Sequence, residues 1–377
     1  MQKKIIALAV AAAFSTPAFA DVGFYGIVDG GVLSISAKNQ KTALIAVSGA
    51  ASQSRLGVKA TEDLGNGLTG IAVVEYGIDT QTSDNMGATT TTSRQKFVAV
   101  AGDFGTVSTG YLQTAVYDFL AKYDPLYGSG SSAHSIIAKG HLVGSAGQRA
   151  QRVVAYSTPN ISGAVFAVNY VTALTGNALN QSDVAPTNNF QHDSALMLSA
   201  NYAIDALSVG AVYATSDAGK NAAANGPASS LTAAAAGMGI KTTEFAFAGS
   251  YDLGVAKVMG TYQSSKTDAA GAKADTLFSL AGLMPISTGV LGVLYASGQN
   301  AESASASATA LTAGYLHTFT KSTTGYVVFS NVKNGSASTG YSVGGNALTT
   351  GWGVAGAANV NNGASSTLFG VGIRKKF

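Results

Sequence analysis

Hydrophobic and polar residues alternate along most of this chain with a period of two. In residues 244–251, Phe245, Phe247 and Tyr251 alternate with smaller or polar residues such as Glu244 and Ser250. The same alternation recurs in three further segments: 165–170, 196–202 and 369–374. Alternation of this kind is typical of β-strands with one apolar and one polar face. The sequence therefore predicts an all-β protein.

Short and long connections take turns between these segments. The short ones are 63–67, 102–105, 159–163 and 252–254, and the long, polar ones are 80–92, 113–148, 173–192, 216–240 and 334–364. This rhythm predicts an antiparallel up-and-down sheet of about 16 strands with tight turns at one end and long loops at the other. The predicted strands lie near 22–36, 52–62, 67–79, 93–102, 105–112, 149–158, 163–172, 193–203, 206–215, 241–252, 254–264, 274–283, 289–297, 307–319, 324–333 and 365–377.

The two faces of the strands indicate which solvent each one meets. The apolar series often ends in Tyr or Phe, as at Tyr170, Tyr202 and Phe377, and such aromatic residues form the girdles of membrane barrels. The opposite series is Gly, Ala, Ser, Asn and scattered charge, which is too small and polar to fill a core. We therefore expect a transmembrane β-barrel with a water-filled interior, closed by pairing of 22–36 with 365–377. A secreted two-sheet sandwich or solenoid is the alternative, although sandwiches rarely reach sixteen strands.

Composition excludes several other classes of protein. The chain is 46% hydrophobic and 11% charged with no Cys, which excludes intrinsic disorder, disulfide scaffolds and thiolate metal sites. Residues 1–20 have the basic start, short apolar core and Ala-Phe-Ala end of a secretory signal peptide, so we expect residues 21–377 to form the mature barrel. No stretch approaches the roughly twenty apolar residues of a membrane-spanning helix. The mature chain carries 20 basic and 19 acidic groups, a net +1 that offers no nucleic-acid signature.

Several motifs resemble catalytic or cofactor sites without the required context. Residues 65–70 and 351–356 match G-x-G-x-x-G, but a strand pattern and a polar loop follow them where a helix is needed. Residues 340–344 match a nucleophile elbow, again with no helix after it. We interpret the four histidines as loop-surface residues: His134, His141, His192 and His317. We predict no catalytic site, cofactor or metal; an outer-membrane barrel hydrolase and a substrate-specific channel remain as alternatives.

Five strings along the chain resemble the general diffusion porins of the Gram-negative outer membrane, beta-proteobacterial type. They are FYGIVDGGV from Phe24, SRLGVKATEDLGNGLTGIAVVEYGID from Ser54, RQKFVAVAGDFGTVSTG from Arg94, AYSTPNISG from Ala155 and GVGIRKKF from Gly370. The resemblance implies a sixteen-stranded barrel, a homotrimer in outer-membrane lipid, and passive diffusion of small hydrophilic solutes. It also implies that the third external loop, residues 113–148, folds into the pore and narrows it.

Candidate pore residues follow from strand alternation and from that resemblance. Alternation assigns one series of side chains to lipid: Leu56, Val58, Phe97, Ala99 and Val154. The other series on the same strands then points into the pore and includes these basic residues: Arg55, Lys59, Arg94, Lys96 and Arg149. The resemblance supplies family counterparts for Arg55, Arg94, Arg149 and the carboxylate of Glu75, and the loop adds Asp118 and Asp124. Basic residues at a constriction select anions, so we predict a modest anion preference. Tyr111 stands where the family commonly has arginine, which weakens that expectation.

Overall fold

A computed structural model describes most of the mature chain as one antiparallel sheet. It describes residues 21–38, 40–81, 93–126, 131–137, 149–172, 194–217, 241–300, 307–336, 343 and 363–377. The strands are β1 (Asp21–Ala37), β2 (Ala43–Ser48), β3 (Arg55–Gly65), β4 (Leu68–Gly77), β5 (Ser93–Gly102), β6 (Gly105–Gln113), β7 (Arg149–Ser157), β8 (Ala164–Val171), β9 (Ser194–Ile204), β10 (Leu207–Asp217), β11 (Lys241–Asp252), β12 (Lys257–Thr267), β13 (Asp275–Ile286), β14 (Gly289–Gln299), β15 (Ala308–Thr320), β16 (Thr323–Asn334) and β17 (Ser365–Lys376). Two short helices lie between β6 and β7: α1 (Ala115–Tyr123) and α2 (Ala133–Ile137).

Strands from β3 to β17 pair with their sequence neighbours, and β1 pairs with β17 on one side and with β2 and β3 on the other, so the sheet closes into a barrel. Strand β1 pairs with β17 in a register that places Gly31 opposite Gly372. On its other side, β1 pairs first with β3 and then with β2, because these two short strands follow one another along the same neighbour. The 17 segments are therefore the 16 strands of a closed up-and-down barrel. Closure removes the unpaired sheet edge that lipid does not tolerate.

The outer surface of the wall is apolar, as the alternation predicts. On β11, Phe247 is 56% exposed whereas Glu244 on the opposite face is fully buried. The exposed series continues with Phe166 and Tyr170 on β8 and with Phe369 on β17. None of the helices in the described ranges is long and apolar enough to cross a membrane.

Tight turns join the strands at one end of the barrel. The β3–β4 turn uses positive φ angles at Asn66 (52°) and Gly67 (76°), and the β9–β10 turn uses one at Asp205 (48°). Asn, Asp and Gly adopt this left-handed conformation at low cost, which explains the turn chemistry seen in the sequence. The G-x-G-x-x-G match at 65–70 is thus part of a β-hairpin, whereas the match at 351–356 lies outside the described residues.

The second barrel strand differs from the prediction. The sequence predicts a single strand near 52–62, but the structure has β2 and β3 separated by residues 49–54, which leave the ladder. The predicted segment 254–264 is also displaced, because β12 begins at Lys257. Gly254 has a positive φ of 80°, so the turn extends further than its Asp-Leu-Gly motif suggests.

Helices α1 and α2 pack against side chains of the barrel wall that point away from the exposed apolar surface. In α1, Val116, Phe119, Leu120 and Tyr123 are buried in a cluster with Met197, among others. In α2, Ala133, Ile136 and Ile137 join a second cluster with residues of β1, β2 and β12–β17. The two helices therefore contact the wall at two separate places.

Candidate functional site

Three charged side chains meet on the wall face opposite the apolar belt. Glu75 on β4 is 4% exposed and accepts a hydrogen bond from Arg94 Nε at 2.6 Å. Arg55 Nε on β3 lies 3.6 Å from the other oxygen of Glu75. In-register pairing of Gly57 with Glu75 places β3 and β4 so that both side chains share this face. One carboxylate thus neutralises part of the charge of two guanidinium groups.

A β-bulge turns Arg94 toward Glu75. Glu75 pairs with Gln95 while Tyr76 pairs with Ser93, so Arg94 is an extra residue on β5. A bulge of this kind re-aims a side chain and reverses the alternation beyond it. Arg94 also donates from Nη1 to Gln53 Oε1, which adds a neutral acceptor to the cluster.

The same bulge makes one sequence expectation wrong. Lys96 was expected to face inward, but it is exposed in series with Val98 and Val100, whereas Ala99 is buried on the inner side. The ammonium group of Lys96 lies 4.7 Å from the ring centroid of Tyr76. Phe97 packs against the buried α1 cluster and not toward lipid.

Arg149 joins the cluster from the first residue of β7. Its guanidinium carbon lies 4.8 Å from the ring centroid of Tyr117 on α1, and it interacts electrostatically with Arg94 and Glu75. Its Nε and one Nη are buried without a hydrogen-bond partner among the described residues. Unpaired guanidinium donors where three arginines lie near Glu75 and Asp118 favour an anion nearby.

The two loop carboxylates have different environments. Asp118 on α1 accepts a hydrogen bond from Gln113 Nε2 at 3.4 Å, and burial raises its pKa despite the attraction of Arg149. Asp124 is buried within the loop, where it accepts from Ser132 Oγ at 2.5 Å and from the Leu126 N–H at 2.8 Å. Burial raises the pKa of Asp124 to about 6. Asp124 therefore holds the loop together and does not join the arginine cluster.

Lys59 lies on the inner face of β3, exposed and two residues beyond Gly57. It shares this face with Arg55, as the alternation predicts, without an ion pair among the described residues. It adds an accessible positive charge to the same wall.

The expectation that His134 lies on a loop surface is wrong. His134 is fully buried on α2, and its Nε2 lies 2.6 Å from Gln263 Nε2 on β12. Burial lowers its pKa to about 4, because a charged ring is costly away from water. His317 lies on β15, within the predicted strand 307–319, and its ring centroid is 4.7 Å from that of Phe319. His141 and His192 lie outside the described residues.

Sequence reasoning missed the helices of the loop, although a signal was present. Val116, Phe119, Leu120 and Tyr123 have the i, i+3, i+4, i+7 spacing of a helix with one buried face. Thr114 caps this helix by accepting from the Tyr117 N–H at 3.3 Å. Tyr123 further anchors it, since its hydroxyl lies 3.1 Å from Ser208 Oγ on β10.

The described residues hold no cluster of metal ligands. No group of three or more His, Asp or Glu side chains in the described ranges has metal-binding geometry. The 340–344 motif lies outside those ranges except for Val343. What the arrangement offers is a local excess of positive charge, with three guanidinium groups around one buried carboxylate.

Comparison with known proteins agrees with this architecture. The sequence profile of the Gram-negative porin family matches residues 7–337. Outer membrane porin protein 32 of Delftia acidovorans is 30% identical over 351 residues, covering 90% of this chain and 92% of the relative. The structure of the anion-selective porin from Comamonas acidovorans superposes with a TM-score of 0.74 and 25% identity, covering 95% of this chain and 100% of that one.

A more distant structure shows the fold alone. The trimer form of OmpT of Vibrio cholerae, at 18% identity, superposes with a TM-score of 0.64 over 95% of this chain and 99% of that one. The relatives are porins, that is, channels rather than enzymes. The family profile, the relative that matches over most of its length and the closed barrel together show that this chain belongs to the family of Gram-negative porins and is a protein of the outer membrane.

Proposed function

We propose that this porin is a water-filled channel for passive diffusion of small hydrophilic solutes and ions, with a modest preference for anions, and that it is not an enzyme. The observation that carries the anion preference is the cluster of Arg55, Arg94 and Arg149 around the carboxylate of Glu75. Net charge at the narrowest point sets ion selectivity, because distant charges are screened within about 8 Å at physiological salt.

The described residues of the 113–148 loop, 113–126 and 131–137, narrow the pore in this proposal. Its support is the pattern of contacts: α1 packs against the inner residues of β9 and β10, whereas α2 packs against those of β14 and β15. A segment held at both places crosses the interior of the barrel. Tyr117 then lies beside Arg149, so the loop forms one side of the constriction and the arginines of β3, β5 and β7 form the other.

The functional assembly in this proposal is a homotrimer, with the outward face of β3–β6 as the subunit interface. That face carries small or aliphatic residues such as Ala72, Val74 and Val98, together with the charge of Lys96. Strands β8–β17 instead expose many Phe and Tyr side chains to lipid. A lysine on the lipid face costs about 2–4 kcal/mol at the bilayer midplane, so a protein partner is the more favourable neighbour.

The interface is tested by one substitution and its matched control. Val98→Trp on β5 should convert the trimer to monomers in mild detergent, whereas Leu280→Trp on β13 should not, although both side chains are similarly exposed (57% and 53%). Masses from native mass spectrometry distinguish the two results. A monomeric unsubstituted protein, or a trimer that survives Val98→Trp, contradicts this interface.

Residues 1–20 are a signal peptide in this proposal, removed between Ala20 and Asp21. Its support is the sequence pattern of a basic start, a short apolar core and small residues at the cleavage site. N-terminal sequencing of protein extracted from outer membranes should read Asp-Val-Gly-Phe. A retained Met1 would refute this boundary.

Ion selectivity is tested in a planar bilayer under a KCl gradient. The reversal potential of the unsubstituted channel should have the sign for chloride, and the double substitution Arg55→Glu and Arg94→Glu should move it toward potassium. Liposome swelling with sugars of increasing size then tests for a nonspecific pore. Potassium preference in the unsubstituted channel would refute the anion proposal, and saturable uptake of one solute would favour a substrate-specific channel.

A further inference from the structure

Residues 49–54 leave the second barrel strand and bend onto the inner side of the wall. Gly49 N–H donates to the Asp29 carbonyl at 2.8 Å, and Asp29 N–H donates to Ser54 Oγ at 3.0 Å. Ser54 Oγ also lies 3.0 Å from Ser48 Oγ, and Ser131 Oγ of the loop donates to the Ala50 carbonyl at 3.4 Å. The bend is therefore tied both to strand β1 and to the loop before α2.

The bend has a defined anchor and a defined pivot. Asp29 on β1 is fully buried, and its Oδ1 accepts a hydrogen bond from the Tyr326 hydroxyl at 2.6 Å. Gly49 is the pivot, with φ at +86° and with Gln53 Cα only 3.0 Å from the position that a Cβ would take. The conformation is therefore fixed and not a loosely held loop.

Gln53 connects this bend to both arginines of the ion-pair cluster. Its side-chain oxygen accepts from Arg94 Nη1, and its backbone carbonyl accepts from Arg55 Nη1 at 3.2 Å. Glu75 occupies the Nε side of each guanidinium group. The two arginines therefore each have a charged acceptor on one edge and a neutral acceptor from Gln53 on another.

We infer that Gln53, held by the Asp29-anchored bend, is a positioning residue for selectivity: it fixes the guanidinium groups of Arg55 and Arg94 at the pore wall without adding charge. Two guanidinium groups beside one carboxylate repel each other, and Glu75 contacts each of them only at Nε. A neutral acceptor fixes those groups and preserves the positive field, whereas a second carboxylate would cancel it. This inference rests on the proposed anion preference.

Gln53→Met tests the inference because it keeps the length of the side chain and removes the acceptor of Arg94, while the backbone acceptor of Arg55 remains. A guanidinium group that moves a few ångströms along the wall acts more weakly on an ion at the constriction. The chloride-to-potassium permeability ratio should therefore fall about twofold. This factor is the difference between the screened Coulomb interaction of one guanidinium charge with an ion at about 5 Å and the same interaction at about 8 Å. Open-channel current noise should rise as Arg94 exchanges between positions.

The matched control is Gln95→Met on the inner face of β5, beside Glu75 in the ladder. A positioning role also requires coupling, so Gln53→Met should have no further effect on the permeability ratio in an Arg94→Gln background. Heat modifiability on electrophoresis should stay unchanged, which separates positioning from loss of the fold. Asp29→Asn, where it folds, should reproduce the effect of Gln53→Met.

The outcomes separate the inference from the proposed function. If the unsubstituted channel prefers potassium, the anion proposal fails and the inference fails with it; if it prefers chloride but Arg94→Gln leaves the permeability ratio unchanged, only the inference fails. If Arg94→Gln lowers the ratio while Gln53→Met acts no differently from Gln95→Met, only the inference is overturned. Persistence of the Gln53→Met effect in the Arg94→Gln background also overturns it.

Discussion

Glu75→Gln should raise the chloride preference of this porin by removing the one carboxylate of the arginine cluster. Glu75 contacts Arg94 at 2.6 Å and Arg55 at 3.6 Å, and the variant keeps the size of the side chain. The cluster of three arginines then changes from a net charge of two to a net charge of three. Because the field at the constriction becomes more positive, chloride should be enriched and potassium depleted.

The magnitude follows from one unit charge acting on an ion in the pore. At about 5 Å in water, Coulomb energy screened with a Debye length of about 8 Å is about 0.4 kcal/mol. This changes the local concentration of each ion about twofold in opposite directions, so the permeability ratio changes about fourfold. In about 1 M salt the Debye length falls to about 3 Å, and the same substitution should change the ratio less than about twofold.

The assay is the reversal potential in planar bilayers at low and at high KCl. Arg94→Gln serves as the opposite perturbation and should lower the ratio by a similar factor. Glu75→Gln also leaves Arg94 without its ion-pair partner, which can cost about 3–5 kcal/mol for a fully buried pair, so heat modifiability must be recorded for each variant. A folded Glu75→Gln channel with unchanged or lower chloride preference would refute the reasoning.

Two further predictions concern the loop. Phe119→Ala removes a fully buried ring from the α1 cluster, which should weaken loop packing by about 3–5 kcal/mol and raise single-channel conductance, whereas Phe104→Ala at an exposed turn should not. Burial lowers the pKa of His134 from 6.5 to about 4. The packed loop therefore becomes less stable as the pH falls from 6.5 to about 4, because the unpacked state binds the proton more readily. Burial raises the pKa of Asp124 from 3.8 to about 6, so the packed loop becomes more stable as the pH falls through this range. The effects of His134 and Asp124 on loop packing therefore offset one another. Asp124→Asn should therefore give a channel whose conductance becomes unstable as pH falls from 6.5 to 4, and equal conductance traces at both ends would contradict this.

The barrel itself was predictable from the sequence, because it depends on local alternation. Each strand must present apolar side chains to lipid and small or polar ones to water, so the period of two persists in almost every segment, as in β11 with Phe245 and Phe247 outside. Turn residues such as Asn66 and Gly67 fix the ends of the strands for equally local reasons. The same argument places Arg55 and Glu75 on one face of the wall, and their side chains form an ion pair there.

Tertiary structure decided the features that depend on single inserted residues and on distant partners. One extra residue at Arg94 reverses the alternation beyond it, so Arg94 lies inside and Lys96 outside, whereas strict alternation predicts both inside. Burial of His134 depends on Gln263, 129 residues away in sequence. The bend at 49–54 forms because hydrogen bonds to Asp29 replace part of the β-ladder, and no local pattern in the sequence indicates that exchange. The sequence alone therefore determined the wall of the pore, and only the folded chain determined how its charges are held.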